Sequence, residues 1–352
     1  MYLQAIGTAL PDRRYTKTEC WESFAASDWF HRLDERSRAI ARLVLHRDNG
    51  IVARRLAVDS LEKVFDIDAD TLHERFCTHA PRLSAQAGRA ALERAGIEPD
   101  AIDAVIVTTC TGYLCPGLSS YAIESLGLRP NVLAFDLVGQ GCAGALPNWQ
   151  LASALLGSEQ CAHVLSICVE VSSAAMYLDD DPGVLISACL FGDGAGAAVL
   201  SRRPPAQRRS VRWVQTASLT RPAERDALRF EQRAGLLRNV LTRAVPLLAA
   251  EHADEVLSTA LARAGVSRNQ ISGWIMHAGG RDVLMALESR LRLAPAALDH
   301  SRAILREYGN LSSAFVYFVL EAALIDDAPG GWWWMSSFGA GFSCHGALLD
   351  VE

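Results

Sequence analysis

The stretch PRLSAQAGRAALERAGI at residues 81–97, followed by EPDAIDAVIVTTCTG at 98–112, decides the fold class. Its first part has the apolar spacing of an amphipathic helix, which we expect Gly96 to end. A polar turn then leads into the apolar run Val105 to Thr109, which predicts a buried strand. Helix, turn and buried strand in this order are typical of α/β proteins, so the sequence predicts an α/β fold.

The same order recurs on both sides of RRPPAQRR, residues 202–209, a polar segment with two prolines that we interpret as a linker. We therefore expect two α/β halves, residues 1–205 and 206–352, with a hint of internal duplication. Further strands are predicted at 2–9, 131–142, 162–171, the end of 184–200, 271–280, 331–337 and 342–351. Further helices are predicted at 18–47, 117–127, 143–156, 235–265 and 281–291, with another starting at Asn310.

Composition narrows the classes of function. The chain has 352 residues, half of them hydrophobic, and a formal net charge of -6. This length allows a large core, and the mild acidity argues against a nucleic-acid-binding protein. No apolar run reaches the roughly 18 residues of a membrane span. The N-terminus lacks the pattern of a signal peptide, so we expect a cytoplasmic protein without membrane contact.

Nine cysteines are scattered along the chain without a CxxC pair or a metal-ligand spacing. We interpret most of them as buried free thiols in a reducing compartment, and we predict no metal site. Cys142 differs, because it lies in GQGCAGAL at 139–146, between a predicted strand and a predicted helix. A helix N-terminus favours a thiolate, and the glycines allow close approach of a substrate. Cys142 is therefore a candidate nucleophile, with a buried cysteine in a tight turn as the alternative.

Two residues of the second half are candidate partners for this cysteine. His277 ends an apolar strand and precedes two glycines, so it could form an ion pair with Cys142, although a structural histidine is the alternative. Asn310, in YGNLSSAF at 308–315, could donate its amide to a developing oxyanion or merely cap a helix. The glycine-rich FGDGAG at 191–196 lacks the Lys-Ser/Thr pair of a P-loop, and we interpret it as a core turn.

Six strings resemble, in order, the motifs of the type III polyketide synthases, the chalcone-synthase-like enzymes of the thiolase superfamily. The resemblance covers about residues 80–350. The six strings are TCTGYLCPGLSSYAIESLGL at 109–128, GQGCAGAL at 139–146, FGDGA at 191–195, HAGG at 277–280, GNLSSA at 309–314 and FGAG at 338–341.

The resemblance implies a thiolase-like fold, in which two pseudo-repeated α/β halves form an αβαβα layered arrangement, and a homodimer. It also implies that Cys142 carries the acyl chain, while His277 and Asn310 polarise the thioester carbonyl and stabilise the enolate. Phe191 resembles the aromatic gate between the coenzyme A tunnel and the reaction cavity. The other residues expected to contact substrate are Arg54 and Arg55, as phosphate contacts, and Ala175, Asn239, Ser312, Gly339 and Gly341 around the cavity.

Three positions depart from the plant pattern of this family and bear on the shape of the cavity. Asn239 stands on or near the position of a second gating phenylalanine, and Ala175 stands where a threonine narrows the plant cavity. Ala340 replaces a proline of the glycine-rich loop. The sequence therefore predicts the reaction type, whereas the starter, the chain length and the ring closure depend on this reshaped cavity.

The resemblance implies acyl-CoA and malonyl-CoA as substrates and a decarboxylating condensation without metal or organic cofactor. We expect no lysine and no carboxylate at the catalytic motifs. One alternative is an initiating ketoacyl-ACP synthase, which performs a single condensation and usually has Gln-Ala-Asn after the histidine, where this chain has Ala-Gly-Gly at 278–280. Two others are an inactive thiolase-fold scaffold and, more remotely, a cysteine hydrolase of another fold.

Overall fold

The computed structural model describes residues 1–158, 160–206 and 208–352. The strands of these residues are β1 (Tyr2–Ala9), β2 (Arg14–Thr16), β3 (Ala53–Arg55), β4 (Ala104–Thr108), β5 (Leu133–Leu137), β6 (His163–Glu170), β7 (Gly194–Ser201), β8 (Val211–Thr220), β9 (Leu228–Arg233), β10 (Leu236–Leu241), β11 (Ile271–Met276), β12 (Gly331–Gly339) and β13 (Ser343–Val351). The helices are α1 (Lys17–Ala26), α2 (Asp28–Arg32), α3 (Glu35–His46), α4 (Ala69–Ala95), α5 (Leu118–Leu126), α6 (Ala145–Gly157), α7 (Pro182–Leu190), α8 (Val245–Ala264), α9 (Arg281–Leu291), α10 (Asp299–Tyr308) and α11 (Phe315–Ile325).

Nine strands form one mixed sheet in the order β11-β12-β13-β8-β1-β7-β6-β4-β5. The predicted α/β class is therefore confirmed. The helix predicted over 81–96 is the C-terminal part of the longer α4, which Gly96 ends with the left-handed φ of 64° that a glycine adopts freely. Gly127 ends α5 in the same way, with a φ of 68°.

The two predicted halves occupy separate sides of the sheet and repeat one pattern of strand directions. In the first half β4 and β6 are parallel, and β7 and β1 follow in antiparallel pairs. In the second half β11 and β12 are parallel, and β13 and β8 follow in antiparallel pairs. The halves meet where Tyr2 pairs with Arg212 and Leu3 pairs with Val211. The boundary near residue 205 stays a prediction, and Gln207 of the proposed linker lies outside the described residues.

The helices form three layers around these strands. α4 packs on β1, β6 and β7, while α8 packs on β8 and β13. α6 and α11 contact strands of both halves and lie between them, where their residues belong to one large buried cluster. This is the αβαβα arrangement that the resemblance implies, and it places the N-termini of α6 and α11 at the centre of the molecule.

The predicted helix over 235–265 is partly wrong. Residues 236–241 form strand β10, which pairs with β9 in a two-stranded hairpin, and α8 begins only at Val245. Gly235 has φ 80° and Ala234 has φ 51°, so both turn residues adopt the left-handed conformations that tight hairpins need. The stretch is apolar at intervals that also fit a helix, and the positive φ values are not visible in a period count.

Candidate active site

Cys142 lies in a single 3-10 turn, Gly141–Ala143, directly before α6. Gly141 adopts φ 54°, and a Cβ at this position would lie 3.0 Å from the backbone nitrogen of Ala340. The cysteine is buried, with 8% of its surface exposed. The sequence therefore forms the tight, glycine-lined turn at a helix start that was predicted around Cys142.

Asn310 lies across the central layer, just before the 3-10 turn Ser312–Ala314 and α11. Its Oδ1 accepts a hydrogen bond of 2.8 Å from the backbone N–H of Ser312, and its Nδ2 donates to the carbonyl oxygen of Gly279 at 3.3 Å. The Ser312 hydroxyl donates to the Sγ atom of Cys142 at 3.3 Å. Ser312 therefore joins the asparagine turn to the nucleophile turn, although the two are far apart in sequence.

His277 follows β11, and its backbone N–H donates to the carbonyl of Ser336 on β12 at 2.9 Å. Its ring is 1% exposed and lies edge-on to Phe315 and Phe338, with ring centroids at 5.2 and 5.0 Å. Within the described residues neither ring nitrogen has a hydrogen-bond partner. A buried imidazole with two free nitrogens is energetically unfavourable in a resting protein, which is consistent with a group that meets a substrate.

Burial controls the charge states of the two candidate acid–base groups. Burial raises the pKa of Cys142 to about 12, and hydrogen bonds from Ser312 and Asn310 act in the opposite direction. Burial lowers the pKa of His277 to about 3. Each shift penalises a lone charge, so burial favours the neutral thiol and the neutral imidazole in this resting geometry. The ion pair between Cys142 and His277 stays a prediction.

A buried carboxylate, Glu170 at the end of β6, corrects the expectation that none lies at the catalytic motifs. It is completely buried and accepts hydrogen bonds from Thr111 Oγ1 at 3.0 Å and from the Cys110 backbone N–H at 3.0 Å. The Ser313 hydroxyl also donates to it, and the Ser312 hydroxyl oxygen lies 3.3 Å from its Oε1 atom, so its one proton can go either to Glu170 or to Cys142. Glu170 therefore ties the 109–111 loop to the asparagine turn, and burial raises its pKa despite these donors.

A second cysteine belongs to this network and was not singled out from the sequence. The Cys110 Sγ atom lies 3.3 Å from Ser312 Oγ and 3.4 Å from Glu170 Oε1. Burial raises the pKa of Cys110, with the Glu170 charge adding to the effect. The string TCTG at 109–112 was part of the recognised pattern, but nothing local in it indicates contact with residues 170 and 312.

The glycine-rich loop 338–341 packs against the nucleophile turn. A Cβ at Gly339 would lie 2.6 Å from both the Ala143 nitrogen and the Gln140 oxygen, so only glycine fits here. Gly341 has φ 132°, and the Ser337 hydroxyl donates to the Ala143 carbonyl at 3.0 Å. The loop therefore fixes the backbone around Cys142.

Two cavities adjoin this centre and share Cys110, Thr111 and Phe230. The inner one, of about 30 Å³, is lined by four of the predicted substrate residues, which are Phe191, Ala175, Asn239 and Ser312. The outer one, of about 440 Å³, extends past Gly141 and Ala340. Phe191 is held beside the centre by a backbone bridge to Asn310.

Arg54 and Arg55, the two predicted phosphate contacts, donate to main-chain oxygens in this structure, and their contact with a phosphate stays a prediction. Arg54 is 7% exposed, and its Nη1 donates to the carbonyls of Ala188 and Phe191 at 2.8 and 3.0 Å. Arg55 Nη1 donates to the carbonyl of Asp12 at 2.5 Å. Arg54 therefore holds the end of α7, whereas the buried Nε of Arg55 has no hydrogen-bond partner within the described residues.

Comparisons with known proteins agree with this geometry. Residues 56–228 match the family described as FAE1/Type III polyketide synthase-like protein, and residues 223–349 match Chalcone and stilbene synthases, C-terminal domain. The chain is 33% identical over 352 residues to 1,3,6,8-tetrahydroxynaphthalene synthase of Streptomyces peucetius subsp. caesius, covering 98% of this chain and 92% of the relative. It is 27% identical over 359 residues to 3,5-dihydroxyphenylacetyl-CoA synthase of Streptomyces toyocaensis, covering 98% and 88%.

Solved structures show the same fold. PKS-I from the brown alga Ectocarpus siliculosus superposes with a TM-score of 0.90 at 24% identity, covering 99% of this chain and 97% of the other. The 1,3,6,8-tetrahydroxynaphthalene synthase of Streptomyces coelicolor A3(2) gives 0.89 at 24% identity, covering 99% of both chains. The chain thus belongs to the type III polyketide synthases and is an acyltransferase that performs decarboxylative condensation, which disfavours the carrier-protein synthase and the inactive scaffold. No helix of the described residues is both long and apolar enough to cross a membrane.

Proposed function

We propose that this enzyme loads an acyl-CoA starter on Cys142 and extends it with malonyl-CoA before the product cyclises or is released. The observation that carries the proposal is the meeting of two helix N-termini from opposite halves. One presents a thiol and the other presents an amide and a hydroxyl within hydrogen-bond range of it. This is the arrangement that thioester exchange and enolate stabilisation both require.

In the loading step, the Cys142 sulfur attacks the thioester carbonyl of the starter after its proton passes to His277. The new carbon–sulfur bond forms as the bond to coenzyme A breaks, and the departing thiolate takes the proton from the imidazolium. The two free ring nitrogens of His277 support this role, because one can accept the proton while the other remains bonded to hydrogen.

In the extension step, malonyl-CoA loses carbon dioxide and its electron pair moves to the thioester oxygen as an enolate. We assign the donors of hydrogen bonds to that oxygen to His277 and to the Nδ2 group of Asn310. The enolate carbon then attacks the acyl-cysteine, which forms a carbon–carbon bond and frees the Cys142 sulfur. None of these steps calls for a metal or an organic cofactor.

The walls of the inner cavity would then shape the growing chain. Phe191, Ala175 and Asn239 line it, so we propose that they set the room for the starter and the chain. Gly339 and Gly341 act one step further away, because they hold the loop against the nucleophile turn. Ser312 contacts the sulfur itself.

We also propose a homodimer that acts in the cytoplasm. β5 is one of the two edge strands of the sheet, and within the described residues the outer side of its backbone is open to pairing with a second copy. Leu133, Val138 and Tyr113 expose 40%, 60% and 70% of their surfaces beside this edge. Exposed apolar side chains at a free sheet edge mark a contact surface, and coenzyme A thioesters and reduced thiols both belong to the cell interior.

The test is product analysis with purified enzyme, without carrier protein. Malonyl-CoA is offered alone and together with short, long and aromatic acyl-CoA starters, and products are identified by mass spectrometry. Condensed products, dependent on Cys142, support the proposal, and the two relatives' names direct the search to polyhydroxylated aromatic rings. Consumption of thioesters to free acids alone, or condensation only after malonyl-ACP is supplied, would overturn it.

A further inference from the structure

The β9–β10 hairpin, Leu228–Leu241, carries a buried arginine with three carboxylate partners. Arg238 exposes 8% of its side chain. Its Nε donates to Asp179 at 2.9 Å, one Nη group donates to Asp181 at 2.9 Å, and the other donates to Glu231 at 2.8 Å. Each of the three guanidinium nitrogens therefore donates to a carboxylate, and such charge-assisted hydrogen bonds are strong.

These carboxylates come from two different elements, so the arginine joins separate parts of the fold. Glu231 lies directly across the hairpin from Arg238. Asp179 and Asp181 lie in the loop before α7, and Asp181 also caps that helix by accepting from the Gly183 N–H at 2.8 Å. α7 ends at Leu190, directly before Phe191, the proposed gate residue. The arginine therefore couples the position of the hairpin to the helix that leads to the gate.

The opposite face of the hairpin lines the cavities. Side chains alternate across a strand, so Asn239 and its cross-strand partner Phe230 face away from the Arg238 and Glu231 pair. Both residues line the inner cavity, and Phe230 lines the outer cavity as well. The Oδ1 atom of Asn239 is buried without a hydrogen-bond partner in the described residues, which leaves an acceptor free for a polar group of the substrate.

We infer that Arg238 is a positioning residue for product length, because its three-carboxylate clamp fixes the hairpin where Phe230 lines both the inner and the outer cavity. The inference rests on the proposed function and adds to it a determinant outside the cavity. A clamped hairpin keeps Phe230 and Asn239 in the wall of the narrow inner cavity, which limits the room for the growing chain. A released hairpin lets the two cavities merge, so chains reach further before they are released.

Removal of this single arginine should shift the hairpin, because it leaves three carboxylates close together. Asp179 and Asp181 are separated by one residue, and Arg238 is the cation that holds Glu231 to them, although Glu231 also pairs with Arg229 at 3.0 Å. Without that cation they repel one another, and the hairpin is pushed away from the α7 loop. Arg233 reaches Asp179 only at 3.7 Å and is largely exposed, so it cannot replace Arg238.

The experiment compares Arg238→Met, Arg238→Lys and the wild type. Arg238→Met removes the charge and keeps the bulk, whereas Arg238→Lys keeps one cation with weaker geometry. The matched control is Arg212→Met, which breaks the 2.6 Å pair with Asp350 at the far end of β8. Products from malonyl-CoA and each starter are quantified by mass spectrometry, and amide hydrogen exchange is followed over residues 228–241.

For Arg238→Met we expect the share of longer products to rise about threefold or more, the starter KM to rise about fivefold and hairpin exchange to quicken. Alkylation of Cys142 should stay within about twofold of the wild-type rate, because the clamp does not touch the sulfur. For Arg238→Lys, the product lengths, the starter KM and the hairpin exchange should lie between those of Arg238→Met and the wild type. For Arg212→Met, all three should match the wild type.

Unchanged product lengths and unchanged starter KM in Arg238→Met would overturn the inference, whatever its melting temperature. A change of the same size in Arg212→Met would overturn it too, because a general loss of stability would then suffice. If the wild type forms no condensed product at all, the proposed function fails, and the exchange of residues 228–241 still decides whether Arg238 holds the hairpin. Equal amide hydrogen exchange of residues 228–241 in Arg238→Met and the wild type would show that Arg238 does not hold the hairpin.

Discussion

The two 3-10 turns at the centre of the molecule share a backbone feature but carry different side chains. Gly141–Ala143 leads into α6 and Ser312–Ala314 leads into α11, and each turn starts with a residue of positive φ, 54° at Gly141 and 51° at Ser312. The two turns contact each other. They stand at matching places in the two halves, each before the helix that enters the central layer.

The difference lies in what occupies the strained position. Glycine adopts a positive φ freely, and at 141 it also leaves room for the 338–341 loop. Serine adopts it at a cost of about 1–3 kcal/mol, which persists where surrounding contacts hold the residue in place. Ser312 has such contacts, since its N–H binds Asn310 and its hydroxyl reaches Cys142 and Glu170. The Gly141–Ala143 turn therefore leaves space around the Cys142 sulfur, whereas the Ser312–Ala314 turn presents polar groups to it.

The strongest test of this division removes the sulfur. Cys142→Ala should lower product formation by about 10⁴-fold or more and abolish acyl loading, because no other group then forms the thioester. Cys161→Ala, at an equally buried cysteine beyond the far end of α6, should keep both. Intact-mass analysis after incubation with acyl-CoA measures the loading. Persistent loading in Cys142→Ala would move the nucleophile elsewhere, with Cys110 as the nearest thiol to examine.

The second test removes the amide of the other turn. Asn310→Ala should slow malonyl-CoA decarboxylation and condensation by about 10²–10³-fold, since one oxyanion donor is lost. Acyl loading of Cys142 should suffer much less, because the thiol remains. Released carbon dioxide and loaded enzyme are measured in parallel. Equal losses in both assays would show that Asn310 supports the fold of the turn instead of the enolate.

The third test concerns His277, whose ring packs on Phe315 and Phe338. If it accepts the Cys142 proton, His277→Gln removes the acceptor and leaves the cysteine with the pKa of about 12 that burial gives it against the hydrogen bonds from Ser312 and Asn310. Alkylation of Cys142 by iodoacetamide at pH 7 should then fall about tenfold or more, and its pH profile should move to higher pH. Overlapping profiles for variant and wild type would exclude the imidazole as the partner of the thiolate.

A smaller effect is expected from the strained serine. Ser312→Ala removes the hydroxyl that donates to the sulfur and lowers the pKa of Cys142. Loss of one such hydrogen bond is worth about 0.5–1.5 kcal/mol, so alkylation at neutral pH should slow by roughly twofold to tenfold. Ser313→Ala is the matched control, because its hydroxyl binds Glu170 and not the sulfur. Equal slowing in both variants would contradict the assignment.

The smallest effect is a pH dependence of stability. Burial raises the pKa of Glu170 above its ordinary value of 4.5. A carboxyl with a raised folded-state pKa contributes stability that is fully present below the unfolded pKa and is lost as the pH rises through the folded pKa. Between pH 4.5 and that folded value, the wild type should lose unfolding free energy that Glu170→Gln does not lose. Denaturant unfolding at several pH values measures this, and parallel curves would contradict it.

The candidate catalytic residues could be singled out from the sequence because each stands at a junction of strand or helix with a glycine-rich turn. Cys142, His277 and Asn310 all have that local context, and the fold class follows from the same junctions. Glu170 was missed because a glutamate after an apolar strand has no local mark of burial. Its environment is created by residues 109–111 and 312–313, which only the folded chain brings to it.

The arginines show the same limit of sequence reasoning, because their partners are also distant in the chain. Arg54 carries a charge suited to a phosphate, but the chain directs it to the carbonyls at the end of α7. The β9–β10 hairpin was also missed, because the apolar spacing of 236–241 fits both a strand and a helix. Sequence reasoning therefore located the chemistry, while the walls of the cavity depend on long-range partners that no local pattern specifies.

The pairing of Tyr2 with Arg212 and of Leu3 with Val211 unites both halves in one continuous sheet. Because the sheet runs without a break between the halves, there is no hinge there. We therefore expect the Cys142 sulfur and the Asn310 amide to stay at a fixed distance when a substrate enters. Entry and exit must use movements of surface segments, and heat should melt both halves in a single transition. A chain cut near residue 205 would expose two raw sheet edges, so neither fragment should remain folded by itself.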